Sequence, residues 1–521
     1  FYQDPFNPES EKYFMEMLGR DSLHSKANRA MGLIYYFRGQ YDKSRKYYQA
    51  SLVNDHLNDG YKAYYYLGLM AMKQGRLDEA KDHLAVTGRH KDFRVLSSFY
   101  LGNIAIMEKD YQEAVSLFDE AIRFGGIHPD IFVNKAIALR KSGRKEKAGL
   151  AIKEAYEKDP MAFNGITEQW FMAEGDKKEA MKEKMHELFD RKDSIFIMSQ
   201  LYLETSLRYM ELYEWQDAGE ILSEAIHYFE TNHRKVSPML DLYLGYCHLK
   251  MNNEDKARTI FRKAETRSNK FVFPYRKYSI NVLKTALEYH PEGSNTLMYL
   301  GNVLAYLRQH REAIDSWKKS VKLDPDNSYA LHNLGSASWY VYQDLDMSIS
   351  YLEKALEASP NDGRLILELD HLYIANDKED ERMELYRAHE QTVRKDDELV
   401  LRWVDLLIHQ QAFELAVDLM DNTYFFAKEM NYNQPYVHTR YAEAHYGLGE
   451  VYLRERKYQE ALAEFNIGSQ YPSHLNDIYP ARPVTSRLDY LKGMAYEGLG
   501  NDQKAVRQWQ QVIDVNSRSY S

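Results

Sequence analysis

The feature that most constrains this chain is a recurrence at 34 residues. Gly68, Gly102 and Ala136 stand 34 apart, as do Ala80, Ala114 and Ala148, and then Ala121 and Ala155. A small residue followed twelve positions later by another returns as Gly32/Ser44, Ser206/Ala218, Gly245/Ala257, Gly301/Ala313, Gly449/Ala461 and Gly493/Ala505. Four residues past the second small residue comes a large apolar one: Tyr48, Leu84, Phe118, Ile152, Leu222, Phe261, Trp317, Phe465, Trp509. Pro160, Pro325, Pro360 and Pro472 close several of these units.

At 521 residues the chain exceeds what one globular core sustains, and a fixed period points to an array of stacked units. Within each unit apolar residues fall at i, i+3, i+4 and i+7, the pattern of two amphipathic helices. The first small residue lets the backbones of helices A and B approach. The second receives that contact, and the large residue one turn later fills the gap. Turns such as "QGRLDE", "EKDYQE" and "SGRKEK" join A to B. Asp-Pro ends helix B because the residue before proline avoids the α region. No alternating segment is long enough for a sheet. The expected fold is all-α, a right-handed α-solenoid of about 12–13 helix pairs.

The stretches "YYYLGLMAMKQGRLDEAKDHL", "FYLGNIAIMEKDYQEAVSLFDEAI", "LYLGYCHLKMNNEDKARTIFRKA" and "AHYGLGEVYLRERKYQEALAEF" carry this pattern in register, and they resemble the tetratricopeptide repeat. The expected organisation is an N-terminal array over 1–160, a divergent helical connector over 161–200, and a C-terminal array over 201–521. Insertions are expected at 267–293, 421–441 and 471–486. Residues 363–421 read as two divergent pairs.

A narrower likeness covers residues 200–515. "FVFPYRKYSINVLKTALEYHPEGSNTLMYLGNVLAYLRQHREAIDSWKKSVKLDPDNSYALHNLGSASW" and "SPNDGRLILELDHLY" are similar to the C-terminal region of large bacterial tetratricopeptide proteins. Those proteins carry an N-terminal β-rich domain resembling galactose-mutarotase and carbohydrate-enzyme sandwiches. The resemblance implies a carbohydrate-related setting. Where such proteins have a Trp- and Gly-containing loop, this chain has "TYFFAKEMNYNQPYVHTRY", so a function resting on that loop is not expected to carry over. The opening "FYQDPFNPES" lacks Met and a signal-peptide pattern. It reads as a processed or truncated end, with a domain expected before Phe1.

Lys and Arg number 68 against 78 Asp and Glu, a net charge of −10, which argues against nucleic acid as the main partner. No apolar run approaches the roughly 18 residues of a membrane span. The single cysteine, Cys247, excludes internal disulfides and leaves the compartment open, with a soluble cytoplasmic location favoured over a periplasmic one.

Catalytic signatures are missing: there is no phosphate loop, no nucleophile elbow and no zinc-binding His pair. Cys247 and His248 are adjacent on a helix and point to different faces. Glu368 and Asp370 lie two apart, about 200° around a helix axis, and cannot serve one site together. These residues are therefore expected to be no enzyme and to need no cofactor or metal, with the activity of a longer parent chain left open.

Binding is the better expectation. Solenoids of this kind present their A helices along a concave groove. Counting from the small residues places Asn302, Tyr306, Tyr329, His332, Asn333, Trp339, Tyr340 and Arg364 there. Aromatic faces and amides suit a peptide or a sugar. A clamp for a C-terminal carboxylate would use Asn302 and Asn333, or Asn103 and Asn134. The first-helix lysine that it needs is replaced by Met298 and Phe99, which removes most of the charge pairing. Two breaks in the repeat are candidate domain-docking sites: the "FPYR" turn with Phe273, Pro274 and Arg276, and the insertion carrying Tyr424, Phe425, Tyr432 and Tyr436. The reading is a scaffold that binds a partner protein, or a companion β-rich domain, through its groove. The alternatives are a solenoid that helps form an oligosaccharide cleft and a receptor for a peptide C-terminus.

Overall fold

The computed structural model describes residues 7–54, 60–160, 164–190, 195–426, 435–476 and 485–518. Among the described residues there are 29 α-helices, two short 3-10 turns and no strand. The helices fall into two compact units, 1–325 and 326–521. In each, successive antiparallel pairs pack side by side. The first unit opens with helix Pro8–Arg20 and runs from the pair Ser25–Phe37 and Tyr41–Val53 to the pair Ser294–Tyr306 and His310–Leu323, with an added helix, Tyr278–Tyr289, before the last pair. The second begins with Ser328–Tyr342 and Leu345–Ala358 and ends with Thr485–Gly498 and Asp502–Arg518.

The small-residue register explains the pairing. A Cβ on Gly102 would lie 2.7 Å from the Phe118 ring, and one on Gly245 would lie 2.5 Å from Phe261. Gly301 meets Trp317, Gly449 meets Phe465 and Gly493 meets Trp509 in the same way. The ring sixteen residues on therefore sits directly against the glycine, rather than beyond a second small residue. The second small residue is buried beside it: Ala80, Ala114, Ala257 and Ala313 are fully enclosed. Where it is serine, its hydroxyl bonds the glycine carbonyl, as in Ser44 Oγ to Gly32 O at 2.7 Å.

The turn from A to B follows one rule throughout. Each turn holds a residue in the left-handed region: Gly39, Gly75, Gly143 and Gly500 in some, but Lys109, Tyr213, Asn252, Arg308, Gln343, Asp377, Gln411 and Arg456 in others. A side chain there costs about 1–2 kcal/mol. Arg456 has φ +62° and is exposed. Arg456→Gly is thus expected to stabilise the chain by about 1 kcal/mol, read as a higher midpoint in urea.

The divergent pairs keep the register with different chemistry. Asp370 occupies the glycine position of helix Gly363–Ala375 and is fully buried. Tyr386, sixteen residues later, donates its hydroxyl to Asp370 Oδ1 at 2.6 Å. Arg382 and Arg402 close the carboxylate from two sides. A charged hydrogen-bond hub thus replaces the glycine–ring contact.

Candidate functional site

In the first unit the C-terminal ends of three A helices, Gly60–Lys73, Arg94–Met107 and Pro129–Lys141, converge on residues 208–217, the junction of helices Ile195–Glu211 and Trp215–Thr231. Lys73 Nζ donates to Glu211 at 2.9 Å. Lys109 donates to Glu214 at 2.8 Å and to the Tyr213 carbonyl at 2.9 Å. Lys141 reaches Glu214 and Asp217, each at 2.9 Å. Arg140 is the centre, with its Nε 2.7 Å from the buried Glu168 carboxylate and an Nη 2.6 Å from Asp217. Burial alone would raise the Glu214 pKa, but Lys109 and Lys141 outweigh it and hold this carboxyl below the usual value. The Asn103/Asn134 register is also taken: Asn134 donates to Asn103 at 2.9 Å, and Arg208 reaches Asn134 and Asp130.

The same inner face closes around Lys277. Its Nζ lies 4.5 Å from the centre of the Tyr36 ring and 5.2 Å from that of Phe37. Burial, with Lys73 nearby, lowers its pKa from 10.5 to about 8. The unfolded chain holds this proton up to pH 10.5, whereas the folded one releases it near 8. Between those values the unfolded state binds more protons, so stability rises with pH across that window. Lys277→Met is accordingly expected to stabilise the chain at pH 7 by about 1–2 kcal/mol, after allowance for partial exposure and the lost ring contact. The advantage over wild type should shrink between pH 8 and 10.5, as urea midpoints for both proteins would show.

Asn302 and Tyr306 lie in this first unit. Asn302 accepts from the Trp317 indole at 3.0 Å and donates to Met298 Sδ, so it braces the Gly301–Trp317 contact. Tyr306 is exposed, and its ring meets Tyr275 edge to face at 6.2 Å. Phe273 is exposed and Pro274 buried. Arg276 stacks on Tyr275 at 4.6 Å and is held by Glu204 and Gln200, which makes it an internal anchor.

The second unit carries the other groove candidates on neighbouring A helices. His332 Nε2 lies 3.0 and 2.9 Å from the two Glu368 carboxylate oxygens and links Ser328–Tyr342 to Gly363–Ala375. Arg364 is exposed and donates to Asp362 at 2.9 Å. Tyr329 and Asn333 are half-buried on the same helix as His332. That helix ends in Trp339 and Tyr340, the latter 80% exposed, with Val341 and Tyr342 also exposed. Tyr424 is exposed beside Phe426, at 5.3 Å between ring centres, whereas Phe425 is buried and its N–H donates to the His474 carbonyl at 2.9 Å. Tyr432 and the side chain of Tyr436 lie outside the described residues.

Little of this arrangement supports chemistry. Glu368 faces His332 while Asp370 is sealed inside its arginine hub, so the two carboxylates do not share a site. Burial pushes the Cys247 thiol well up, and lowers the His248 pKa with help from Lys256. Among the described residues no group of three or more His, Cys, Asp or Glu could hold a metal ion, and no helix is long and apolar enough to cross a membrane. Sequence reasoning missed Phe271, Tyr275 and the acidic junction 208–217. The lack of any acidic residue between Glu265 and Glu288 was a readable signal for the first two.

Residues 29–87 and 437–473 match one family model described as tetratricopeptide repeat, residues 294–327 match a second and residues 240–267 a third. These stretches are tetratricopeptide repeats. Each of the two units is a stack of helix pairs that includes such repeats, an all-α solenoid of the scaffold type. Among solved structures the chain is similar to the APC/C hetero-tetramer Cut9–Hcn1, at 13% identity over 98% of this chain and 96% of that chain, with a TM-score of 0.28. It is also similar to MamA protein, at 19% identity over 38% of this chain and 95% of that chain, with a TM-score of 0.26.

Proposed function

We infer that this tetratricopeptide scaffold is non-catalytic and holds a partner polypeptide on the A-helix face of its second unit. One observation carries the reading: the row Tyr329, His332, Glu368 and Arg364, in which the His332–Glu368 pair links neighbouring A helices, continued by the solvent-facing Trp339 and Tyr340. Such a row offers fixed donors and acceptors to a peptide backbone and ring faces to its side chains. In the first unit, by contrast, the inner face is spent on intrachain ion pairs. Both asparagines of the Asn103/Asn134 register are occupied too, and this weighs against a carboxylate clamp there.

A photo-crosslinking residue at position 340 tests this in the native host. A discrete polypeptide adduct is expected there and not from position 354, an exposed site on the partnering helix Leu345–Ala358. Once the partner is in hand, Tyr340→Ala should weaken its binding about tenfold or more, as loss of an interface aromatic does. Equal capture at 340 and 354 would overturn the reading.

A further inference from the structure

Between helices Glu254–Glu265 and Tyr278–Tyr289 the chain leaves a turn at Lys270–Phe271 and runs through Val272–Arg276 without regular secondary structure. Its side chains alternate. Val272 and Pro274 are buried, while Phe271 is 72% exposed, Phe273 54% and Tyr275 40%. Tyr306, 57% exposed, lies against Tyr275 and extends this line of rings.

Three further observations separate this ridge from ordinary surface apolar residues. Phe271 has φ +62°, a strained conformation for a bulky residue, and its backbone is held so while the ring stays in water. Beyond the turn at 270–271, and among the described residues, no hydrogen bond joins the backbone N–H or C=O groups of 273–275 to the rest of the backbone. An unpaired segment whose side chains alternate in and out is a template for an added strand, and Pro274 keeps the edge short. The charge is also one-sided. From 266 to 287 there are five cations and no acid, in a chain of net charge −10. Arg267 and Arg276 are spent on Asp241 and Glu204, and Lys277 is folded under Tyr36. Lys270, beside Phe271, and Arg308, two residues past Tyr306, remain exposed at the two ends of the ridge.

We propose that the ridge Phe271–Phe273–Tyr275–Tyr306 is a docking edge for an extended, acidic segment of another protein. The segment pairs its backbone with 273–275, places apolar side chains at alternate positions against the rings, and sets carboxylates near Lys270 and Arg308. This surface is independent of the face assigned above in the second unit.

The experiment is selection of a phage-displayed random dodecapeptide library on the full chain, with counterselection on the Phe271→Ser/Phe273→Ser double variant. Both changed side chains are exposed, so the variant should keep the wild-type melting temperature and circular dichroism. The expected result is enrichment of peptides with Asp or Glu and alternating apolar residues, binding the double variant at least tenfold more weakly. N-methylation of alternate peptide amides should abolish binding on one register and spare it on the other. Phe271→Gly should melt higher than wild type, since it relieves the left-handed strain, yet bind the selected peptides several-fold more weakly. No enrichment over counterselection, enrichment of basic peptides, or indifference to N-methylation would each overturn the proposal.

Discussion

Asp370→Ala should cost the second unit about 3–5 kcal/mol, the loss expected when one partner of a buried ion pair is removed. The carboxylate is fully enclosed and accepts from Tyr386, Arg382 and Arg402. Without it the Tyr386 hydroxyl loses its acceptor and two guanidiniums lose the carboxylate they share, and the space beside Tyr386 is left unfilled. Burial raises the Tyr386 hydroxyl well above its usual pKa, and the adjacent Asp370 charge raises it further. That proton therefore stays in place to donate. Tyr386→Phe should lose only about 1.5–3 kcal/mol, the worth of one hydrogen bond to a charged group. Hydrogen exchange across 363–409 measures both. Asp370→Ala with less effect than Tyr386→Phe would show that the hub is not the organising contact of this pair.

Arg140→Met should be nearly as severe, by the same reasoning applied to the first unit. Arg140 satisfies Glu168, which has no exposed surface, and shares Asp217 with Lys141. Its removal strands the Glu168 carboxylate with only the Tyr209 hydroxyl, 2.8 Å away, as donor. A loss of about 3–5 kcal/mol follows, unless Glu168 takes up a proton to escape its charge. In that case the variant should recover part of its stability as pH falls, while wild type should not. The double variant Arg140→Met/Glu168→Gln should recover it at neutral pH. The exposed pair Lys81–Glu108, at 2.8 Å, provides the contrast: Lys81→Met should change stability by under about 1 kcal/mol. Faster exchange of the amides of 208–217 in Arg140→Met, and not in Lys81→Met, is the expected observation.

The pairing was legible because it is local. Gly102 and Phe118 are sixteen apart on adjacent helices, and a glycine facing a ring leaves a visible mark in the string. Asp370 and Tyr386 keep that spacing, but a carboxylate in a glycine's place hides the unit from any pattern of small residues. The 208–217 junction was not legible for a different reason. Lys73 and Glu211 are 138 residues apart, and nothing near either says which way the stack curves. For the candidate site, single residues were readable and their company was not. Tyr306 and Phe273 were named separately, as groove and docking residues, yet Tyr275 brings them into one ridge. Asn302 was placed by register on the groove, and that register could not foresee that the Trp317 indole would bond to its amide oxygen.

The 43 tyrosines have a consequence of their own. Burial holds the phenols of Tyr36, Tyr48, Tyr65, Tyr209 and Tyr278 far above their free ionisation range. All five belong to the first unit. Their phenolate absorbance in the near ultraviolet should stay dark in alkali until that unit loosens, and then rise together. The protein thus carries an optical gauge of its own integrity, one that needs no label.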